Sequence, residues 1–371
     1  MEQIHNAAAG DVCTIRAPCK INVFLEVGAR RPDGFHDINS VFMTAGLYDT
    51  VTVGLKHEAG AADGGFACRV TAATEGLPDG LALEAACTGL PLEKNTVFRA
   101  AQLFHSRHPV PAVDVRLTKR IPAGAGLGGA STDGAAVLTG LNRLCGLPFS
   151  PAALESLSLE LGSDVPFFIR AINEAGGDGV FSAQALGRGE RLRPAACPFT
   201  PPFWVVLVHP GFFSGTNRAY ALLDHYRQTH EMQEKTQNQA KLANLGAFLL
   251  RKNRAFRSNA ACCVSSRPHS ASIACARAGS DAAFANNRRY SRQTMTAACS
   301  CNSFLPVFLA EGSPEERRLY PALLDGLCDS HAAFYGLTGS GAVCFGIFFD
   351  AAAAAAAAAN LSKTWAWCFK S

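Results

Sequence analysis

Three groups of residues have types and spacings that suit them to chemistry. Lys20 and Asn22 stand two apart in an extended run, so on a strand they share one face with Phe24 while Ile21, Val23 and Leu25 share the other. An ammonium and an amide would then lie side by side, pointing away from the core. A lone lysine so placed reads first as a solvated surface charge. Asp164 follows Gly162, a helix stop, and Pro166 predicts an extended Val165 before it. A carboxylate at the edge of an apolar run needs a partner. It either caps the next turn, or takes and orients the proton of an attacking hydroxyl.

The third group is the run Pro122-Ala123-Gly124-Ala125-Gly126-Leu127-Gly128-Gly129-Ala130-Ser131-Thr132, between a predicted strand and a predicted helix. Glycines there admit left-handed backbone and the close approach of a ligand. The free N–H groups of the helix start attract phosphate oxygens, and the Ser131 and Thr132 hydroxyls can add to a phosphate or to Mg²⁺. Gly124, Gly126 and Gly129 also satisfy the dinucleotide pattern G-x-G-x-x-G, which keeps a nicotinamide-dependent oxidoreductase open as a rival. That pattern belongs in a parallel βαβ unit with an acidic residue about 20 positions on. Glu155 is the candidate, but it sits in a helical pattern, and the first hundred residues read as antiparallel strands. No lysine follows the last glycine, so the run is not a Walker A loop.

The elements that must position these groups divide the chain in two. Residues 12–29 and 38–53 are strand-like around the Pro32-Asp33-Gly34 turn, and 95–105 reads as a helix capped by Asn95. A short strand at 113–117 leads into the glycine run, followed by helices at 131–144 and 151–161. A second unit starts near 181, with strands at 204–208, 342–349 and 365–369 and helices at 216–226, 315–328 and 351–361. The expected domains are 1–180 and 181–371, of α+β class. Residues 228–300, rich in Arg, Ser, Asn, Ala and Cys with weak periodicity, read as an insertion.

Composition fits a soluble globular protein rather than a disordered chain, and the charge is too small to argue for nucleic acid. The 371 residues are 48% apolar and 17% charged, with a net charge of only +4. No secretory signal is visible at the start, so the 14 cysteines are expected to be reduced and the protein cytoplasmic. Cys262-Cys263 and Cys299/Cys301 lack the spacing of a zinc site, and no metal site is expected from them. Residues 342–360 read as a strand running into a polyalanine helix, not a membrane span.

Several motifs in order resemble the GHMP kinases. Ala17-Pro18-Cys19-Lys20-Ile21-Asn22 is similar to the first motif of that superfamily, the glycine run to the second, and Thr338-Gly339-Ser340-Gly341-Ala342 to the third. Within the superfamily, Arg31-Pro32-Asp33-Gly34-Phe35-His36, Leu47-Tyr48-Asp49-Thr50, residues 161–168, Gly187-Arg188-Gly189-Glu190 and His209-Pro210-Gly211 resemble the 4-diphosphocytidyl-2-C-methyl-D-erythritol kinases. The resemblance implies a ribosomal-S5-domain-2-like N-terminal domain and a ferredoxin-like C-terminal domain with a cleft between them. It implies ATP as co-substrate, Mg²⁺ in assistance, and 4-diphosphocytidyl-2-C-methyl-D-erythritol as the small-molecule substrate, with no nucleic-acid or membrane partner. Lys20 and Asp164 would be catalytic. Asn95 and Lys119 would reach the ATP ribose or adenine together with the glycine run. Asn22, Phe35, His36, Tyr220, Gly339, Ser340 and Gly341 would bind substrate, His36 on the cytosine edge and Phe35 stacked opposite Tyr220. Otherwise Phe35 is a core ring and His36 a surface one. Family members often have Tyr in place of Phe35, and N-D-F-E where this chain has Asn302-Ser303-Phe304. Homoserine or mevalonate kinase is the alternative within the superfamily.

Overall fold

The computed structural model describes residues 12–56, 66–85, 91–175, 179–234 and 300–371. Two long strands, β1 (Val12–Arg30) and β2 (His36–Lys56), form an antiparallel hairpin. The Pro32-Asp33-Gly34 turn closes it. Gly34 takes a φ of +84°, and the Phe35 amide donates to Asp33 Oδ1 at 3.1 Å. The chain continues through β3 (Cys68–Thr74), α1 (Asp79–Ala85), α2 (Thr96–Arg107) and β4 (Ala112–Lys119). Asn95 caps α2 as expected, its side chain accepting from the Val97 amide. After the glycine run come α3 (Gly129–Leu144), α4 (Pro151–Ser158) and α5 (Val165–Glu174), then β5 (Ser182–Gly187) and β6 (Arg191–Pro194).

β2 is long enough to pair with β1 along one edge and with both β4 and β5 along the other, giving a six-stranded sheet in which five strands follow the order β3-β4-β2-β5-β6 and β1 joins at β2. Buried α3 packs against α2, α5 and β1. Gly140 lets it settle on the sheet, because a Cβ there would stand 3.1 Å from Val53 Cγ2.

The second sheet holds β7 (Trp204–His209), β8 (Phe334–Leu337), β9 (Cys344–Phe348) and β10 (Trp367–Lys370), in the all-antiparallel order β10-β7-β9-β8. With α6 (Thr216–Glu234), α7 (Phe304–Glu311) and α8 (Pro314–Asp329) after β7, and α9 (Ala351–Leu361) after β9, this is a ferredoxin-like arrangement with two added helices among the described residues. Asp350 caps the polyalanine helix, and Ala354, Ala357 and Leu361 form its buried stripe.

Four expectations change. β5 and β6 complete the first sheet, so the division at 180/181 falls too early; the sheet ends at Pro194. β3 lies parallel to β4, because helical segments carry the chain back between them. Val165 is not extended; it opens α5, with Pro166 in the first turn where its missing N–H costs nothing. The expected insertion is narrower at both ends. α6 runs to Glu234, and Ser300 is buried, its hydroxyl donating to the Val23 carbonyl; the expectation for 235–299 lies outside the described residues.

Candidate active site

One cleft of about 1010 Å³ gathers most of the expected residues, at the upper end of the range for a single small ligand. Its floor is β1. The register slips at Pro18/Cys19 and again at Asn22/Phe24, and the short stretch between these bulges carries Lys20 and Asn22. Both side chains are buried at the cleft floor, not solvated as a surface face would be. Lys20 Nζ donates to Asn22 Oδ1 at 2.5 Å, stands 3.6 Å from Asp164 Oδ2, and lies 4.8 Å from the Phe42 ring centre. Asn22 in turn donates to Ser40 Oγ. Burial lowers the Lys20 pKa below the ordinary lysine value, with Asp164 pulling it back part of the way.

Asp164 sits at the N-cap position of α5, yet its side chain makes no capping hydrogen bond. The capping alternative therefore falls away, and the carboxylate faces the cleft beside Lys20.

The glycine run is fastened on three sides. The Lys20 amide donates to the Leu127 carbonyl at 2.9 Å, the Ser214 amide to Gly124, and the Val343 amide to Ala125. Gly126 is required sterically as well as by its φ of +73°, since a Cβ would stand 2.3 Å from the Thr338 carbonyl oxygen. At Gly128 (φ +76°) a Cβ would meet Phe168 at 2.6 Å. Gly128 also begins α3 without a side-chain cap, so the first-turn amides stay available to an anion. Pro122 through Ser131 line the cleft, whereas the Thr132 side chain is fully buried and its hydroxyl has no partner among the described residues. Of the two hydroxyls in the run, Ser131 is the one that borders the cleft. No group of three or more His, Cys, Asp or Glu suited to a metal occurs among the described residues.

The third motif packs on this loop. Thr338 Oγ1 accepts from the Asn22 amide at 2.9 Å, and Gly339 and Ser340 line the cleft. Gly341 faces away, toward Tyr320 and Ser214. Asn302 fixes the motif by donating to the carbonyls of Leu337 and Gly339, each at 2.9 Å. Ser303, where the family resemblance would put an acid, accepts from the Val27 amide.

The expected base-binding residues collect at one end. His36 is buried with Nε2 2.7 Å from Asp224 Oδ1, and its ring lies 4.9 Å from Tyr220. Burial raises the Tyr220 pKa to about 12, so its hydroxyl stays protonated. Phe35 is half exposed, and its ring is covered by the Arg188 guanidinium at 4.6 Å rather than facing Tyr220 directly. Asp224 escaped the sequence reading, although it lies four residues after Tyr220 on the same face of α6. Asn95 lines the cleft but uses its oxygen as the α2 cap.

Lys119 also lines the cleft, but its ammonium is held by Asp49 and, at 2.5 Å, by Asp133 Oδ2. Burial works against its charge, yet Asp133 and Asp49 hold its pKa above the ordinary lysine value. Burial raises the Asp133 pKa to about 7 against the pull of Lys119. Glu155, the residue a dinucleotide fold needed at a strand end, is paired with Arg170 on α5, and the strand after α3–α5 joins β2 antiparallel. The oxidoreductase rival therefore has neither its acid nor its parallel strand.

Residues 95–171 match the family model for the GHMP kinases N terminal domain. Two relatives carry the name 4-diphosphocytidyl-2-C-methyl-D-erythritol kinase. The one from Heliobacterium modesticaldum is 41% identical over 211 residues, 56% of this chain and 57% of that protein. The one from Geobacter metallireducens is 36% identical over 57% of this chain and 64% of its own length. The chain thus matches less than two thirds of either relative. A crystal structure of 4-(cytidine 5'-diphospho)-2C-methyl-D-erythritol kinase superposes with a TM-score of 0.56 at 24% identity, covering 96% of this chain and 98% of that one. A crystal structure of L. major mevalonate kinase in complex with R-mevalonate gives a TM-score of 0.59 at 11% identity, covering 98% of this chain and 96% of that one. The fold is that of the GHMP kinases, and the match to their N-terminal domain model falls on the segment that holds α2, the glycine run, α3 and α4.

Proposed function

We propose that this chain transfers the γ-phosphoryl group of ATP to the 2-hydroxyl of 4-diphosphocytidyl-2-C-methyl-D-erythritol. The observation that carries the reading is a single cleft with a glycine-rich anion loop, a Lys20–Asp164 pair at 3.6 Å, and a separate end built from His36, Tyr220 and Phe35. The names of the relatives supply the substrate.

The oxygen of a tertiary alcohol is a poor nucleophile, so its proton must leave as the bond to phosphorus forms. Asp164 is placed to take or orient that proton. Lys20 pairs with the Asp164 carboxylate at 3.6 Å and meets negative charge developing on the transferring group. The phosphate loop holds ATP in line, Mg²⁺ would supply positive charge to the phosphates beside Ser131, and ADP leaves with the oxygen that bridged the β- and γ-phosphorus atoms. The aromatic end holds the cytosine. Stacking on protein rings contributes about 1–3 kcal/mol per base. Tyr220→Ala is therefore expected to raise KM for the cytidyl substrate much more than KM for ATP, and equal effects would remove Tyr220 from the substrate side.

A coupled ADP-release assay across a panel of alcohols tests the assignment. Turnover of the cytidyl substrate is expected. Turnover confined to homoserine or mevalonate would replace the substrate while keeping the kinase.

A further inference from the structure

The glycine run has two ends, and one side chain reaches both. Lys119 is the last residue of β4, just before the run. Its ammonium is bound on one side by Asp49 of β2 and on the other, at 2.5 Å, by Asp133 in the first turns of α3. Asp49 does more than hold the lysine. Its other oxygen accepts the backbone amides of Arg120 at 2.5 Å and Ile121 at 2.9 Å, the two residues that lead into the loop. Asp49 is fully buried, and Lys119 and Asp133 nearly so.

A buried carboxylate that takes two consecutive amides fixes the direction in which the backbone leaves the strand. A buried ammonium between two carboxylates then ties that exit point to the helix on which the loop must land. Charge-assisted bonds of this kind are the strong ones, and in a low-dielectric interior they hold geometry tightly. Preorganised donors avoid reorganisation when the anion arrives.

We propose that Asp49, Lys119 and Asp133 are positioning residues that staple the two ends of the phosphate loop, so that its amides are aimed before the nucleotide binds. The staple acts through the loop, and Lys119 need not touch the nucleotide. The inference rests on the reading of the run as an ATP loop.

Single removal of Lys119 leaves two carboxylates facing each other, so the variant Asp49→Asn/Lys119→Met/Asp133→Asn is used, which deletes all three charges at nearly constant volume. Hydrogen exchange of residues 120–131 in the nucleotide-free protein should speed up about tenfold or more relative to the rest of the first sheet. KM for ATP should rise about tenfold, with the change falling on KM rather than on kcat. Lys119→Arg, which can still bridge both acids, should recover most of the loop protection. A folded triple variant with wild-type loop exchange and wild-type KM for ATP would overturn the staple. Accelerated loop exchange in a protein whose wild type binds no ATP would uphold the staple and reject the ATP reading beneath it.

Discussion

Two buried lysines face the same cleft under opposite conditions. Lys119 lies between two carboxylates and its pKa is raised. Lys20 has a single carboxylate at 3.6 Å, shares an amide oxygen with Asn22, and has its pKa lowered. Burial is nearly the same for both, so burial does not separate them. The slack in the pairing does. An ammonium gripped by two carboxylates holds structure; one with a single, more distant carboxylate that has no capping duty has interactions left for a reacting group.

The largest expected effect bears on the loose pair. General-base steps are worth about 10²–10⁴-fold. Asp164→Asn and Lys20→Ala should each lower kcat by roughly that range with KM for ATP little changed. Because both serve one step, the double variant should lose far less than the product of the two losses. Multiplying losses in steady-state assays would mean that the pair does not act together. Near-normal kcat in folded Asp164→Asn would overturn its role.

The tight cluster should respond in stability instead. Removing one partner of a buried ion network leaves charge uncompensated, at a cost of about 3–5 kcal/mol. Lys119→Met, which strands Asp49 and Asp133, should lose about that much in urea unfolding. A loss below about 1 kcal/mol would erase the distinction between the two lysines.

How much of this was legible follows the same division. The glycine run could be read locally, because positive φ at Gly124, Gly126 and Gly128 needs only the residue type. The hairpin turn and the Asn95 cap were legible for the same reason. The pairing of Lys20 with Asp164 was not a matter of spacing and came only with the family resemblance. Lys20 itself looked solvated, since nothing local told that two bulges and the third motif would bury it. Asp224 was missed because its meeting with His36 depends on how α6 docks. There the Arg227 guanidinium reaches the Gly28 carbonyl at 2.5 Å across the fold. Likewise β3 paired parallel because of the crossover, and Asp49 and Asp133 became partners of Lys119 only once three elements met.

The contrast sharpens with pH. Lys20 titrates below the ordinary lysine value of 10.5, so kcat should fall on the alkaline side earlier than an ordinary lysine would allow. Asp164 is the cause that raises the Lys20 pKa, so in the residual activity of Asp164→Asn the limb should move to still lower pH. An alkaline limb unmoved by that substitution would show that another group sets it.

The smallest expected effect is the most telling. Because burial lowers the Lys20 pKa, the unfolded state binds its proton more tightly than the folded state does. Stability then rises as pH climbs through the folded value toward 10.5, and at neutral pH the charged lysine costs the fold something. Lys20→Met keeps the volume and removes that cost. Asn22 loses a donor but still accepts from Thr338 Oγ1 at 3.4 Å, and the Asp164 side chain, 29% exposed, keeps water. Thermal and urea unfolding at neutral pH should therefore change by less than about 1 kcal/mol, toward greater stability if at all, while phosphoryl transfer is lost. A destabilisation comparable to that of Lys119→Met would mean that Lys20 also holds the fold together, and the difference between the two lysines would be one of degree.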